Sequence, residues 1–252
     1  MRRPRRRLLP LTGLEPRQFA TVVEAAAAML PAARGRRWRL PLQERLLLTA
    51  VALRTNLTVR QLAAVFDVSK SQAHRVVDRH TRLLATLLPL AVDLDRRWSW
   101  TLDGTLVPTR DHRTAGRSKN YRYSTNAQVL ARRTDLTIVA IDGGGPGRRN
   151  DVVHYRDSHL PSLIKSHGRV LADGGYRGIP ELCTPRFEGR RMVRDQAWRR
   201  HRRRRARAEH AIARLKDWQM LRDHRRAGKQ VPTTFAAVAY LHNINTALRD
   251  IS

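Results

Sequence analysis

The sequence changes from helical to strand-like patterning at Trp98-Ser-Trp-Thr-Leu-Asp-Gly-Thr-Leu-Val-Pro108. Apolar and polar side chains alternate along this stretch, which is the period of a strand with one buried face. Asp103 lies between Leu102 and Gly104, where a charge is costly unless it is paired or bound to a metal ion. The stretch therefore predicts a core strand that carries an acidic side chain with a specific partner.

Further strands and helices follow this first strand. Residues 126–131 and 136–142 have strand-like patterns joined by a tight turn, and residues 143–151 form a glycine-rich loop. A helix is expected over about residues 153–166, and residues 169–178 predict a buried strand that ends in glycines. Adjacent strands, a helix, another strand and then helices predict an α/β or α+β core with a mixed sheet.

Two long helices come last. The first is strongly basic and is expected over about residues 198–223, and the second over about residues 233–249. Before Pro89 only helices are predicted, beginning with one over residues 12–33 that Thr12 caps. The polar residues after Pro89 mark a boundary, so the expected domains are residues 1–92, all-α, and residues 93–252, with the sheet.

Residues 57–80 have the pattern of a helix-turn-helix. A short helix capped by Thr58 breaks at Asp67, and a second helix begins after Ser69, which can cap it. In such a motif the first turns of the second helix lie in the major groove of DNA, where base edges are read. The residues expected there are Lys70, Ser71, Gln72, His74 and Arg75. The alternative is an ordinary helical hairpin in an all-α domain.

Three acidic residues occupy positions where a carboxylate needs an explanation. Asp103 lies inside a strand, Asp173 ends an apolar strand before two glycines, and Glu209 lies among arginines on the basic helix. Carboxylates at the ends of neighbouring strands, with one from a packed helix, can hold two Mg²⁺ ions about 4 Å apart for an in-line phosphodiester displacement. The simpler alternatives are a turn hydrogen bond, a loop cap and a surface ion pair.

Two other features lie near these acids. At 3.6 residues per turn, Arg205 and Lys216 share a helix face with Glu209, so that two cations flank one anion. Asp151 is expected to cap the helix after the glycine-rich loop, and a position near the acidic site is the alternative.

The amino-acid composition limits the kinds of partner and site that the protein can have. The 252 residues contain 50 Lys and Arg against 21 Asp and Glu, a formal net charge of +29. Such self-repulsion favours a protein that a polyanion neutralises, so nucleic acid is the first candidate and an anionic membrane surface the second. The single cysteine, Cys183, excludes an internal disulfide and a cysteine-based zinc site. No apolar run approaches the roughly 18 residues of a membrane span.

The motifs resemble those of insertion-sequence transposases of the DDE superfamily, over nearly the whole chain. Residues 57–77 resemble the helix-turn-helix of these proteins. Leu102-Asp-Gly-Thr105 is similar to their first-Asp motif, and Ala172-Asp-Gly-Gly-Tyr-Arg-Gly178 to their second-Asp motif. The spacing of Arg205, Glu209 and Lys216 resembles their third-acid helix, in which a tyrosine stands at the position of Arg202.

The resemblance implies an RNase H-like fold and a role for each of these residues. The implied metal ligands are Asp103, Asp173 and Glu209. Arg205 and Lys216 would bind DNA phosphates near the cut. The implied cofactors are two divalent ions, Mg²⁺ with Mn²⁺ as a possible substitute.

The implied function is DNA transposition. The protein would bind the terminal inverted repeats of its element as duplex DNA and hydrolyse phosphodiester bonds at their ends. It would then attack target DNA with the freed 3′-hydroxyl, as a homodimer or larger assembly on the nucleoid in the bacterial cytoplasm, without a membrane. The alternatives are a DNA-binding protein without catalysis, either a regulator or a decayed transposase, and an RNA-binding or membrane-surface protein.

Overall fold

The structure is a computed structural model that describes residues 8–30, 38–95, 97–118, 120–121, 123–167 and 170–247. The chain divides into two compact units. The first contains the chain up to Ala91, Lys216–Asp223 and the segment from Thr233 onward, and the second contains Val92–Leu215 and His224–Pro232. The last helix thus belongs to the first unit, whereas the sequence predicts it in the domain that carries the sheet.

The α-helices of the described residues are numbered in chain order. They are α1 (Leu8–Thr12), α2 (Pro16–Ala28), α3 (Leu42–Thr55), α4 (Val59–Val65), α5 (Lys70–Leu87), α6 (Asp151–Arg156), α7 (Leu160–His167), α8 (Gln196–Leu215) and α9 (Val231–Ala247). Among these described helices, none combines the length and the apolar character that crossing a membrane requires.

The helix predicted over residues 12–33 begins later than expected. It starts at Pro16, because Glu15 and Gln18 form a capping box in which Gln18 Oε1 accepts a hydrogen bond from Glu15 N at 2.8 Å. Thr12 closes a local turn instead, with its Oγ1 accepting from Leu14 N at 3.2 Å. Residues 31–33, the predicted end of the helix, lie outside the described residues.

The helix-turn-helix pattern is realised by α4 and α5. Thr58 Oγ1 accepts from Gln61 N at 3.3 Å and Ser69 Oγ accepts from Gln72 N at 3.2 Å, so both predicted caps are present. Asp67 takes a left-handed conformation, φ 49°, which makes the turn between the helices. The buried side chains between them are Leu62, Ala63, Val68, Ala73, Val76 and Val77.

The final helix α9 is buried around almost its whole circumference rather than on one stripe. A helix that is apolar on all sides has no outer face, so its pattern does not reveal which elements surround it. Within the first unit, Gln18 Nε2 donates to Asn245 O at 3.0 Å and Asn245 Nδ2 donates to Gly13 O. These bonds attach α9 to the start of α2.

The second unit contains a mixed five-stranded sheet. Its strands are β1 (Trp100–Pro108), β2 (Ser124–Arg132), β3 (Ile138–Pro146), β4 (Val170–Leu171) and β5 (Leu182–Cys183), in the order β3-β2-β1-β4-β5. The first three pair antiparallel, whereas β4 is parallel to β1 and β5 to β4. The predicted fold class, an RNase H-like α/β unit that follows an all-α region, is confirmed.

The two faces of β1 have different environments, because successive side chains of a strand point to opposite faces. Leu102 enters an apolar core with Tyr155 of α6, Ile164 of α7 and Tyr176. On the other face, Asp103 contacts Arg205 of α8. The sheet therefore has an apolar side and a charged side at the same point of one strand.

Two elements after β3 are shorter than predicted. The helix expected over residues 153–166 is divided into α6 and α7, because His159 N donates to Asp142 Oδ2 at 3.1 Å and draws the chain towards β3. The strand expected over residues 169–178 covers only Val170–Leu171. Beyond it the chain turns into a 3-10 helix at Gly174–Tyr176.

Two further segments differ from the prediction. The glycines expected in a loop after residue 142 lie in β3, which continues to Pro146. The basic helix α8 ends at Leu215 instead of about residue 223, so Lys216 lies just past it and the helix face shared with Glu209 does not reach Lys216. A small hairpin, β6 (Phe187–Glu188) with β7 (Arg191–Met192), precedes α8.

Candidate active site

Asp103 is a sheltered carboxylate in the middle of β1, with 16% of its side chain exposed. Its Oδ1 accepts a hydrogen bond from Gly104 N at 3.1 Å, and its Oδ2 accepts from Arg205 Nη1 at 2.8 Å. Burial raises the pKa of Asp103 to about 6; the charge of Arg205 opposes the rise and the charge of Asp173 adds to it. This carboxyl is therefore harder to ionise than an exposed aspartic acid.

Glu209 reaches the same place through Arg205. The two residues are one turn apart on α8, and Arg205 Nη2 donates to Glu209 Oε1 at 2.6 Å. One guanidinium thus contacts Asp103 and Glu209 with its two terminal nitrogens. Because the Glu209 side chain is 58% exposed, its ion pair adds little to stability.

Asp173 follows β4, the parallel neighbour of β1. The paired residues are Trp100 with Val170 and Thr101 with Leu171, and both Asp103 and Asp173 lie two residues beyond the last pair. Asp173 Oδ1 accepts from Gly175 N at 2.8 Å, which turns the chain away from the sheet. The two carboxylates are near enough for the charge of Asp173 to raise the pKa of Asp103.

The carboxylates of Asp103, Asp173 and Glu209 are chemically suited to bind a divalent cation. Carboxylate oxygens are the ligands that Mg²⁺ prefers, and two carboxylates that repel each other in a partly buried place are stabilised by a cation. In the part of the chain that is described, no group of three or more His, Cys, Asp or Glu is arranged to hold a metal ion. The Arg205 guanidinium lies between Asp103 and Glu209 and supplies the positive charge there.

The base-reading residues expected on α5 lie on its outward face. Ala73 and Val76 are fully buried, which fixes the orientation of the helix. The expected residues project from its first two turns; Gln72 is partly buried, and the exposed ones are Lys70, Ser71, His74 and Arg75. This end of α5 thus presents cations and hydrogen-bonding groups to solvent.

The two remaining cations of the third-acid pattern have different surroundings. Lys216 belongs to the first unit, and burial together with the charge of Arg222 lowers its pKa. Arg202, which stands where the family has a tyrosine, is exposed on α8, with its guanidinium carbon 5.6 Å from the ring centroid of Trp198. The described contacts of Arg202 therefore include an aromatic neighbour but no substitute for a tyrosine hydroxyl.

Asp151 lies against the residue next to Asp103, which was the alternative expected for it, and the polar side chains that hold it there were not predicted. Asp151 does not cap α6, since Asn150 Oδ1 accepts from Val152 N at 2.9 Å. Asp151 instead turns towards β2, where Gln128 Nε2 donates to its Oδ1 at 3.1 Å. The available signal was the alternation of polar Asn126 and Gln128 along a strand whose side chains are otherwise suited to a core.

Comparisons with known proteins identify the class of this site. Residues 38–90 match the family described as the helix-turn-helix of DDE superfamily endonuclease, and residues 102–243 match the family described as DDE superfamily endonuclease. The second match spans the segments that carry Asp103, Asp173 and Glu209. The chain is thus an endonuclease of the DDE superfamily with a helix-turn-helix.

A similar protein shows to which group of this superfamily the chain belongs. The chain is 41% identical over 249 residues, covering 94% of each protein, to a protein assigned as a transposase for insertion sequence element IS112 from Streptomyces albus G. This chain belongs to the insertion-sequence transposases of the DDE superfamily. Endonucleases of this superfamily use divalent metal ions.

Proposed function

We propose that this transposase binds the terminal inverted repeats of its element, hydrolyses phosphodiester bonds at their ends and joins the freed 3′-hydroxyl to target DNA. The observation that supports the proposal is that Asp103 shares the Arg205 guanidinium with Glu209 and interacts electrostatically with Asp173, which follows the parallel strand β4. A DNA-binding protein without catalysis would not need a costly carboxylate inside β1.

The three acids are the groups that would hold Mg²⁺ or Mn²⁺. Such ions, when bound, activate the attacking oxygen and stabilise the leaving oxygen of an in-line displacement. Asp103 must be ionised for this role, and its raised pKa means that a proton competes for the same oxygens. Water is the proposed nucleophile of the first step, and a DNA 3′-hydroxyl is that of the second.

Arg205 changes partners in this proposal. In the structure it neutralises Asp103 and Glu209. When those carboxylates bind cations, the guanidinium becomes available for a DNA phosphate, for which its planar fork is suited. Lys216 is proposed as a second phosphate contact.

The exposed first half of α8 supports binding of DNA close to the acids. Its exposed arginines are Arg199, Arg200, Arg202, Arg203 and Arg204. Cations in this number along one helix attract the phosphate backbone without reading its sequence. Sequence is proposed to be read by α5, through Lys70, Ser71, Gln72, His74 and Arg75.

The proposed setting is the bacterial cytoplasm, where the protein would find both its element and target DNA on the nucleoid. Transposition brings two ends of an element together, which favours a homodimer or a larger assembly on DNA. The dimer is a proposal from this geometry of the reaction, since one acidic site serves one DNA end at a time.

Cleavage of labelled terminal DNA tests the catalytic proposal. With Mg²⁺ or Mn²⁺ the wild-type protein should nick its own terminal sequence, and Asp103→Asn, Asp173→Asn or Glu209→Gln should each reduce the rate at least about a thousandfold. Binding of the same DNA should remain, because these acids do not read bases. Glu188→Gln, which removes an exposed acid of the same unit, is the matched control and should cleave normally. Absence of nicking by the wild type under all these conditions contradicts the proposal.

A binding experiment tests the reading of sequence by α5. Arg75→Ala should weaken binding to terminal DNA by about 1–3 kcal/mol and should reduce the preference for terminal over random DNA. Arg17→Ala, which removes an exposed cation from α2 of the same unit, should leave that preference unchanged. Equal effects of the two substitutions on the preference would exclude base reading by Arg75.

A further inference from the structure

Gly104, the residue after Asp103, lies directly against Asp151. A Cβ atom at position 104 would come within 2.5 Å of Asp151 Oδ1 and 2.8 Å of its Cγ. The Asp151 carboxylate thus fills the space that a side chain at position 104 would need. Because side chains alternate along a strand, Asp151 supports β1 on the face opposite to Asp103.

Asp151 is held by two buried amides of β2. Asn126 Nδ2 and Gln128 Nε2 both donate to its Oδ1, the second at 3.1 Å. Gln128 Nε2 also lies 3.0 Å from Asn126 Oδ1, and the two amides are 0% and 4% exposed, Gln128 being the more buried. In its register Gln128 pairs with Gly104, so this group sits beneath the strand position next to Asp103.

Gln128 connects Asp151 to the segment that carries Asp173. The fully buried Tyr176 donates its hydroxyl to Gln128 Oε1. Tyr176 ends the 3-10 helix that begins after Asp173, and its N–H donates to Asp173 O at 3.2 Å. Burial raises the pKa of Tyr176, as do the charges of Asp151, Asp103 and Asp173, so the hydroxyl remains a donor.

This connection matters because the two catalytic strands are joined only briefly. Pairing of β1 with β4 covers Trp100 with Val170 and Thr101 with Leu171. Neither Asp103 nor Asp173 lies within the paired residues. Backbone hydrogen bonds therefore do not set the separation of these carboxylates, whereas the buried chain from Asp151 through Gln128 to Tyr176 crosses the same gap.

We propose that Asp151 is a positioning residue of the acidic site, which fixes the separation of Asp103 and Asp173 through Gln128 and Tyr176 and so sets the affinity for divalent cations. The proposal rests on the function proposed above, in which these two acids bind the cations. Asp151 acts through hydrogen bonds to its Oδ1, and its own charge is not required.

The test is Mn²⁺ binding by the full chain without DNA, measured from the electron paramagnetic resonance signal of free Mn²⁺. Asp151→Ala and Tyr176→Phe should raise the Kd for Mn²⁺ about tenfold or more, as loss of supporting hydrogen bonds does at other metal sites. Asp151→Asn should bind close to the wild type, because its Oδ1 can accept the same two hydrogen bonds. Asp157→Ala, which removes an exposed acid just after α6, is the matched control.

Two other outcomes of the Mn²⁺ measurement would contradict the proposal. Wild-type affinity in both Asp151→Ala and Tyr176→Phe excludes positioning by this chain of bonds. An Asp151→Asn variant as weak as Asp151→Ala shows that the charge acts directly, which also contradicts the proposal. Thermal melting without metal separates these effects from unfolding, and Tyr176→Phe, which removes a single hydroxyl, keeps the test valid if Asp151→Ala does not fold.

Asp103→Asn distinguishes failure of the function from failure of the inference. If Asp103→Asn binds Mn²⁺ as well as the wild type, the acids are not the metal site and both proposals fall. If Asp103→Asn loses binding while Asp151→Ala and Tyr176→Phe retain it, the metal site stands and only the role of Asp151 is wrong.

Discussion

The ionised carboxyl of Asp103 destabilises the folded protein. Burial disfavours the charged form of its carboxyl, and the contact with Arg205 offsets this only in part, so its pKa remains raised to about 6. A residue chosen for stability alone would not be ionisable here. The catalytic role proposed for Asp103 therefore comes at the expense of stability at this position of β1.

The substitution Asp103→Asn should stabilise the metal-free protein above neutral pH. The folded pKa of about 6 exceeds the ordinary aspartic acid value of 3.8, so ionisation as pH rises favours the unfolded chain, which releases its proton first. At about pH 7.5 the gain should approach but not exceed about 3 kcal/mol, and at about pH 4 it should largely vanish. Urea unfolding at both pH values checks this, and a gain that is equal at both would contradict it.

The residues of the site differ in how well the sequence predicts them. Asp103 and Asp173 stand out because an acid inside or at the end of an apolar strand needs a partner. Glu209 stands out because it lies among arginines and by its spacing from Arg205 and Lys216. For Asp151 the sequence favoured a helix cap and left a place near the acids as the alternative, because Asn150 and Asp151 are both good caps and only the folded chain shows which one binds Val152 N.

Residues 104 and 151 should contribute to stability in a coupled way, because β1 packs against the start of α6 at these two positions. Gly104→Ala introduces a Cβ that collides with the Asp151 carboxylate and should destabilise the protein. In the double variant with Asp151→Ala the collision is absent. The double variant should therefore lose less free energy of unfolding than the two single variants lose together, by about 1 kcal/mol or more.

Urea unfolding of the four proteins measures this coupling. Gly104→Ala combined with Glu188→Ala provides the control pair, since Glu188 lies in the β6–β7 hairpin and is not among the atoms that crowd position 104. If the losses of free energy of unfolding are additive for Gly104→Ala with Asp151→Ala, as they are expected to be for Gly104→Ala with Glu188→Ala, Asp151 does not support β1.

Helices and strands were predicted well where their ends have local causes. Thr58 and Ser69 cap α4 and α5 as the sequence indicates, because each hydroxyl meets a backbone N–H three residues later. The end of β4 and the break before α7 depend on a carboxylate and on a contact with β3, which are formed only in the folded chain. Patterns of apolar residues do not contain such contacts.

The charge of the whole molecule makes DNA binding depend on salt. A net charge of +29 in 252 residues favours binding to the phosphates of DNA, and each phosphate contact releases counterions. Affinity for terminal DNA should fall by about a thousandfold or more between about 50 mM and about 200 mM salt. Fluorescence anisotropy over that range measures the slope, and an affinity that is insensitive to salt would exclude binding dominated by the arginines.

The composition of the first unit ties DNA recognition to completion of the chain. This unit includes α4 and α5 but also α9, whose Asn245 bonds to Gly13 and accepts from Gln18. During synthesis the ribosome releases the helix-turn-helix long before α9, so the unit that contains it is assembled only after the acidic residues of the second unit have been translated. A shortened product that lacks α9 would leave the first unit incomplete.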